Sequence, residues 1–239
     1  MVVKESIVLE ELEVKYHEFS RNWRKPLGLL KSITALEKIS FRVGEGDVVG
    51  IIGRNGAGKS TLMKTMAGLL RPSSGRIVSN GRVILLAGAD PGFHPDIPGK
   101  QNVWELAGAY GIPSEEMESF AQSIFDFAGL GGAINRNVRG YSAGMRGKLG
   151  FGFITSLKPE ILLIDETLAV GDEEFRKKAQ ERLKGFVANS GTVMISTHSM
   201  GLARELCNRG ILLDDGNLRY DGDIEDTIKE YRKIISEEV

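Results

Sequence analysis

The run Gly53-Arg54-Asn55-Gly56-Ala57-Gly58-Lys59-Ser60-Thr61 constrains this chain more than any other part of it. It spells Gly, any four residues, then Gly-Lys-Ser. It stands between an apolar run, Val48-Val49-Gly50-Ile51-Ile52, and a stretch of helical periodicity from Lys59 to Leu70. Glycines at these places let the backbone wrap closely enough for successive N–H groups to point at phosphate oxygens, and the helix N-terminus adds its partial positive charge. Lys59 is placed to reach the β- and γ-phosphates of a nucleotide, and the Ser60 hydroxyl to ligate magnesium. Such a loop demands a strand feeding a helix, so the fold is expected to be α/β.

The rest of the chain keeps the same alternation. Asp47 to Ile52, Ile161 to Asp165 and Thr192 to Ser196 read as strands, and Glu173 to Val187 reads as a helix with Phe175, Ala179, Leu183 and Phe186 on one face. Strand and helix in turn predict a mostly parallel sheet. Between about Pro95 and Leu157 the strand signal fades and helical patterns dominate, with breaks at Gly111-Ile112-Pro113 and Gly129-Leu130-Gly131-Gly132. Gly210 to Gly222 carries a hairpin signal at Asp215-Gly216-Asn217, and a charged helix is expected from Ile224 to Glu238. The expected organisation is one domain over 1–239: a core with a β subdomain over about 1–94 and 158–223, a helical subdomain over 95–157, and a terminal helix over 224–239.

Composition removes other classes. With 239 residues, 41% hydrophobic and 26% charged, the chain can bury a core and does not match a disordered one. Lys plus Arg at 31 against Asp plus Glu at 32 leaves a net charge of -1, which gives no global pull toward nucleic acid. Cys207 is the only cysteine, so no internal disulfide forms and a reducing compartment is expected. The first residues lack the pattern of a signal peptide, and no run of about 18 apolar residues occurs.

Two further places carry chemistry. Ile161-Leu162-Leu163-Ile164 delivers adjacent carboxylates, Asp165 and Glu166, at a strand end. Asp165 is where such an enzyme holds magnesium, directly or through water, and Glu166 is placed to orient and polarise an attacking water. His198 follows the strand Thr192 to Ser196, where an imidazole would donate to the γ-phosphate and sense its loss.

Tyr141-Ser142-Ala143-Gly144-Met145 precedes the carboxylates. It resembles the signature motif of ABC-type ATPases, usually Leu-Ser-Gly-Gly-Gln, matching it at Ser142 and Gly144; from Tyr141 to Glu166 the spacing aligns with the family pattern without a gap. Asp165 to Asp172 then occupies the stretch that ends in the family's dimer-contacting D-loop, Ala169 to Asp172. The resemblance implies a P-loop NTPase core of RecA-like type with an antiparallel β subdomain and a helical subdomain. It implies ATP and Mg2+ as cofactors, and a head-to-tail homodimer in which Ser142 and Gly144 meet the γ-phosphate held by the other chain. Tyr16 lies where the family stacks an aromatic ring on adenine, with Phe19 as a rival.

Tyr-Ser-x-Gly-Met with Asp-Glu-x-Leu-Ala-Val-Gly-Asp, together with Arg71-Pro72-Ser73-Ser74-Gly75 and Gly92-Phe93-His94-Pro95, is similar to the ATP-binding subunits of bacterial exporters of lipid-linked polysaccharides: O-antigen, capsule and teichoic acid. That likeness implies a separate transmembrane permease as partner and a peripheral place on the cytoplasmic face of the cell membrane. An importer or another exporter, a non-transport ABC-type ATPase and a P-loop kinase stand as alternatives. The chain departs from the family where a glutamine usually joins the metal site to the transport subunit: it reads Leu86-Ala87-Gly88-Ala89-Asp90-Pro91, which makes backbone groups, water or Asp90 candidates for that contact. Between Tyr16 and Leu36 the chain is longer than most members need. Arg21, Arg24, Lys25 and Lys31 alternate there with Trp23 and leucines, as a face for the inner leaflet, a substrate headgroup or the chain's own domain would.

Overall fold

The computed structural model describes residues 4–18, 31–87, 90–165, 172–189 and 191–236. In chain order these form β1 (Glu5–Glu18), β2 (Lys31–Gly44), β3 (Val48–Ile52), α1 (Lys59–Met66), β4 (Ser74–Ser79), β5 (Val83–Ala87), α2 (Gly99–Ala109), α3 (Met117–Ala128) and α4 (Ala143–Ser156). There follow β6 (Ile161–Asp165), α5 (Glu173–Ala188), β7 (Thr192–Ser196), α6 (Met200–Leu206), β8 (Arg209–Asp214), β9 (Asn217–Asp223) and α7 (Ile224–Ser236). Two short 3-10 turns, Gly131–Asn135 and Val138–Gly140, lead into α4. Glu166, Ala169 to Gly171, Gly88, Ala89 and the basic stretch Arg21 to Leu30 lie outside the described residues.

Contacts divide the chain into two units, the first drawn from Met1–Leu85, Glu160–Leu163 and Ser190–Val239. Its six-stranded sheet runs in the order β5-β6-β7-β3-β8-β9. β3 lies parallel to both β7 and β8, and β8 turns through Asp215 and Gly216 into antiparallel β9. β3 and β7 are buried along their whole length, which is why their sequences are unbroken apolar runs and not alternating ones. A separate antiparallel sheet, β2-β1-β4, lays Ile7, Leu12, Leu36 and Val43 into the same core as Ile51, Leu62, Met63 and Ile211.

Two elements differ from the sequence reading. α1 ends at Met66, short of Leu70. Gly68 takes a φ of 73°, and its N–H and that of Leu69 donate to the Thr65 and Lys64 carbonyls, the paired bonds of a Schellman stop. The extra stretch before Leu36 is strand at both ends: β1 and β2 pair from Glu5 with Gly44 as far as Glu18 with Lys31.

α7 packs on β8 because Gly210 leaves room for Thr227: a Cβ at Gly210 would stand 2.5 Å from the Thr227 hydroxyl, which donates to the Gly210 and Asp223 carbonyls. Cys207 is buried beside Gly50, and burial pushes its thiol up to about 12.

The second unit takes in Leu86–Pro159 and Ile164–Asn189, so α5 groups with the helices α2 to α4. Aromatic rings hold it together. Tyr110 and Phe120 meet Phe153 edge-on, with centroids 5.6 and 5.9 Å away, while Phe127, Phe151 and Phe175 form a second cluster across α3, α4 and α5. Arg182 lies over Phe127 at 4.3 Å and donates to the Ser156 hydroxyl at 2.7 Å. Asn102 fastens the loop before α2: its side chain accepts from the His94 N–H at 2.6 Å and donates to the His94, Ile97 and Pro98 carbonyls. Among the described residues no helix is long and apolar enough to cross a membrane.

Replacing Asn102 by Ala should cost about 2 kcal/mol in urea unfolding, because it strands the groups that Asn102 satisfies in a site only 2% exposed. Exposed Gln101→Ala is the control. Folded Cys207 should resist alkylation at pH 8 and react once the chain is unfolded. Between 9.0, the ordinary value, and about 12 the folded chain holds a proton that the unfolded chain has lost, so this thiol lowers stability as pH rises across that range.

Candidate nucleotide-binding site

β3 delivers the glycine-rich loop at its buried end, hemmed in by its neighbours. A Cβ at Gly53 would lie 2.3 Å from the Leu213 carbonyl of β8. At Gly58, whose φ is 101°, it would lie 2.6 Å from the Ala35 carbonyl of β2. Within the loop the Ala57 N–H donates to the Arg54 carbonyl, and the Ala57 carbonyl accepts from Gly216 in the β8–β9 turn. α1 starts from Gly58, which offers no side-chain cap, and no acidic residue stands in its first turn. The amides of that turn have no partner within the helix and carry the positive end of its dipole, as an anion site requires.

Lys59 is only 7% exposed; its ammonium arches back to donate to the Gly53 carbonyl at 2.7 Å and the Arg54 carbonyl at 2.8 Å. Asn55, Gly56 and Ser60 are exposed, and Thr61 is half-buried. The Thr61 hydroxyl lies 3.2 Å from that of Tyr16, a residue of β1 that is 41% exposed. This places the aromatic candidate beside the loop.

His198 belongs to the same end of the sheet. Ile51 of β3 is in register with Ser196 of β7, and the Thr197 N–H reaches back to the Ile51 carbonyl. His198 comes next, exposed, before Ser199 caps α6 by accepting from the Leu202 N–H. The loop and the imidazole thus leave adjacent parallel strands at their carboxyl ends, where open α/β sheets bind ligands.

The remaining candidates stand in the second unit. Asp165 is the half-buried last residue of the otherwise buried β6. A carboxylate of this kind, like the Ser60 hydroxyl in the first unit, is by its chemistry a hard oxygen donor such as Mg2+ takes. Ser142 caps α4, its hydroxyl accepting from the Met145 N–H at 3.1 Å, and Gly144 sits in the first turn. Tyr141, in place of the family's leucine, is buried against Gly99 and donates to the Ala133 carbonyl at 2.9 Å. Burial raises the pKa of its phenol.

Asp90 is already engaged. One oxygen accepts from the Gly92 and Phe93 N–H groups, and the other lies 3.9 Å from the Arg146 guanidinium of α4. Sequence reasoning missed Asn102 and Arg146, since neither matches a motif; a polar residue among the apolar positions of α2 was the one available signal.

Residues 36–169 match the family model described as "ABC transporter". The chain is 37% identical over 202 residues to the O-antigen export system ATP-binding protein RfbB of Klebsiella pneumoniae, covering 84% of this chain and 82% of that one. It is 35% identical to the teichoic acids export ATP-binding protein TagH of Listeria innocua, over 86% of this chain and 61% of that one. Among solved structures, a dimeric post-hydrolysis ATP-binding cassette bound to ADP and Pi superposes with a TM-score of 0.77 at 21% identity, covering 91% of this chain and 98% of that one. An ATP-binding subunit of an ABC transporter gives 0.79 at 22% identity, covering 95% and 93%. The chain belongs to the ABC transporter family, as an ATP-binding domain.

Proposed function

We propose that the chain is the ATP-hydrolysing subunit of an exporter of lipid-linked polysaccharide, such as O-antigen, capsule or teichoic acid. It works as a head-to-tail homodimer beneath a separate transmembrane subunit, on the cytoplasmic face of the cell membrane. The observation that carries this reading is the alignment with two named export subunits over 84% and 86% of the chain. The cradle at Gly53 to Thr61 supports its ATP part. A net charge of -1 gives no global pull toward nucleic acid as a partner.

The roles follow from the chemistry of each group. ATP offers Lys59 charged phosphate oxygens in exchange for the neutral carbonyls of Gly53 and Arg54, which strengthens its hydrogen bonds. The amides of Gly56 and of Gly58 to Thr61 take further phosphate oxygens, while Tyr16 stacks on the base. Ser60 and Asp165 would hold magnesium, which supplies neutralisation of the phosphate charge. Glu166 orients the attacking water and His198 donates to the γ-phosphate. Ser142 and Gly144 of the second chain close the site. Closure draws only on the difference in ATP affinity between closed and open dimers, and hydrolysis resets it.

Lys59→Ala should weaken ATP binding at least about tenfold, or about 1.4 kcal/mol, by fluorescent-nucleotide titration. Glu166→Gln should bind MgATP as tightly as the unaltered chain, lose turnover and elute as a dimer in size-exclusion chromatography; a monomer at saturating MgATP contradicts the two-chain reading. Purification with the membrane partner should bring down a lipid-linked glycan. A partner that moves another cargo would overturn the polysaccharide assignment and leave the ATPase assignment standing.

A further inference from the structure

Lys148 lies in the second turn of α4, the helix that Ser142 begins, and its side chain is 21% exposed. Its ammonium donates to one oxygen of Asp172 at 2.6 Å and stands 5.4 Å from the centre of the Phe175 ring. The other Asp172 oxygen accepts from the Phe175 N–H at 2.9 Å and caps α5. One carboxylate therefore serves two helices at once. Lys148 holds the Asp172 carboxyl below its usual range, and the Phe175 N–H adds to the effect.

The packing of α4 on α5 has other supports. Phe175 is 4% exposed and meets Phe151 and Phe127, and Arg182 ties α5 to Ser156 at the far end of α4. An ion pair whose acidic partner is 61% exposed adds little to stability. Its place is what distinguishes it: it joins the start of the helix that opens at Ser142 to the residue where the chain leaves the D-loop.

We infer that Lys148 and Asp172 form a positioning pair, which fixes the start of α5 against the helix that Ser142 opens, so that the pair holds Ser142 in place for the partner chain. The pair acts through Ser142, and this role rests on the ATPase function proposed above.

The test uses the full chain, with Lys148→Met, Asp172→Asn and the double variant. Asn keeps the cap on α5 and removes only the charge. Each single change should lower kcat for MgATP about fivefold, leave KM and the Kd of a fluorescent ATP analogue within about twofold, and leave the melting temperature within a few degrees. The double variant should be no slower than either single one, as expected of groups that act together. Lys148→Arg should retain most of the turnover. Unchanged kcat in the single variants overturns the inference. So do losses that multiply in the double variant, or a loss seen in nucleotide affinity or melting temperature. An unaltered chain without ATPase activity would remove the proposed function itself, and the role of the pair with it.

Discussion

A backbone that binds phosphate through its own N–H groups must pass its neighbours without side chains before it starts a helix, and here Leu213 seals that passage. Its carbonyl leaves no space for a Cβ at Gly53, and the Ala35 carbonyl does the same at Gly58. Both carbonyls are fixed by the sheets. β8 is held against β3 with Leu212 beside Ile52, and the β8–β9 turn bonds both to Ala57 in the loop and to Glu37 in β2. The shape of the cradle is therefore set by strand register, and Lys59, bonded across the mouth of the loop, inherits it. Substitutions that shift β8 or β2 act on the nucleotide site without touching it.

The second unit solves a different problem. Its helices have little polar backbone to share, so aromatic contacts fix their packing while a few ion pairs and one buried amide set the loops. Asn102 fixes residues 94–98. Those residues bond in turn to the segment before Ser142, through Val138 to Ile97 and Arg139 to Pro95. Asp90 bonds to the turn that follows it and faces Arg146 on α4. The residue after the position where the family resemblance expects a glutamine thus bonds to its own turn and lies 3.9 Å from a guanidinium of α4.

How much of this could be read from residues alone depends on how local the cause is. Ile161–Asp165 and Thr192–Ser196 occur with the bounds the sequence indicates, because strands buried on both faces read as continuous apolar runs. β1 and β2 were harder. Charges alternate along them, and Glu11 and Lys38, with φ of 48° and 46°, break their period near shifts in register. The end of α1 was decided by the left-handed Gly68 and not by the apolar Leu69 and Leu70 beyond it. In the site, the loop from Gly53 to Thr61 is legible because contiguous residues make its chemistry. Lys148 with Asp172, 24 positions apart, and Asp90 with Arg146 exist only after folding.

On the function proposed above, each nucleotide is closed by two chains. Mixing a Lys59→Ala chain with a Gly144→Asp chain tests it most directly. In a head-to-tail dimer each chain lends its partner the half that the partner lacks, so the mixture should regain ATPase activity that neither chain shows alone. A mixture as inactive as its components, at concentrations where MgATP brings the chains together, would contradict it.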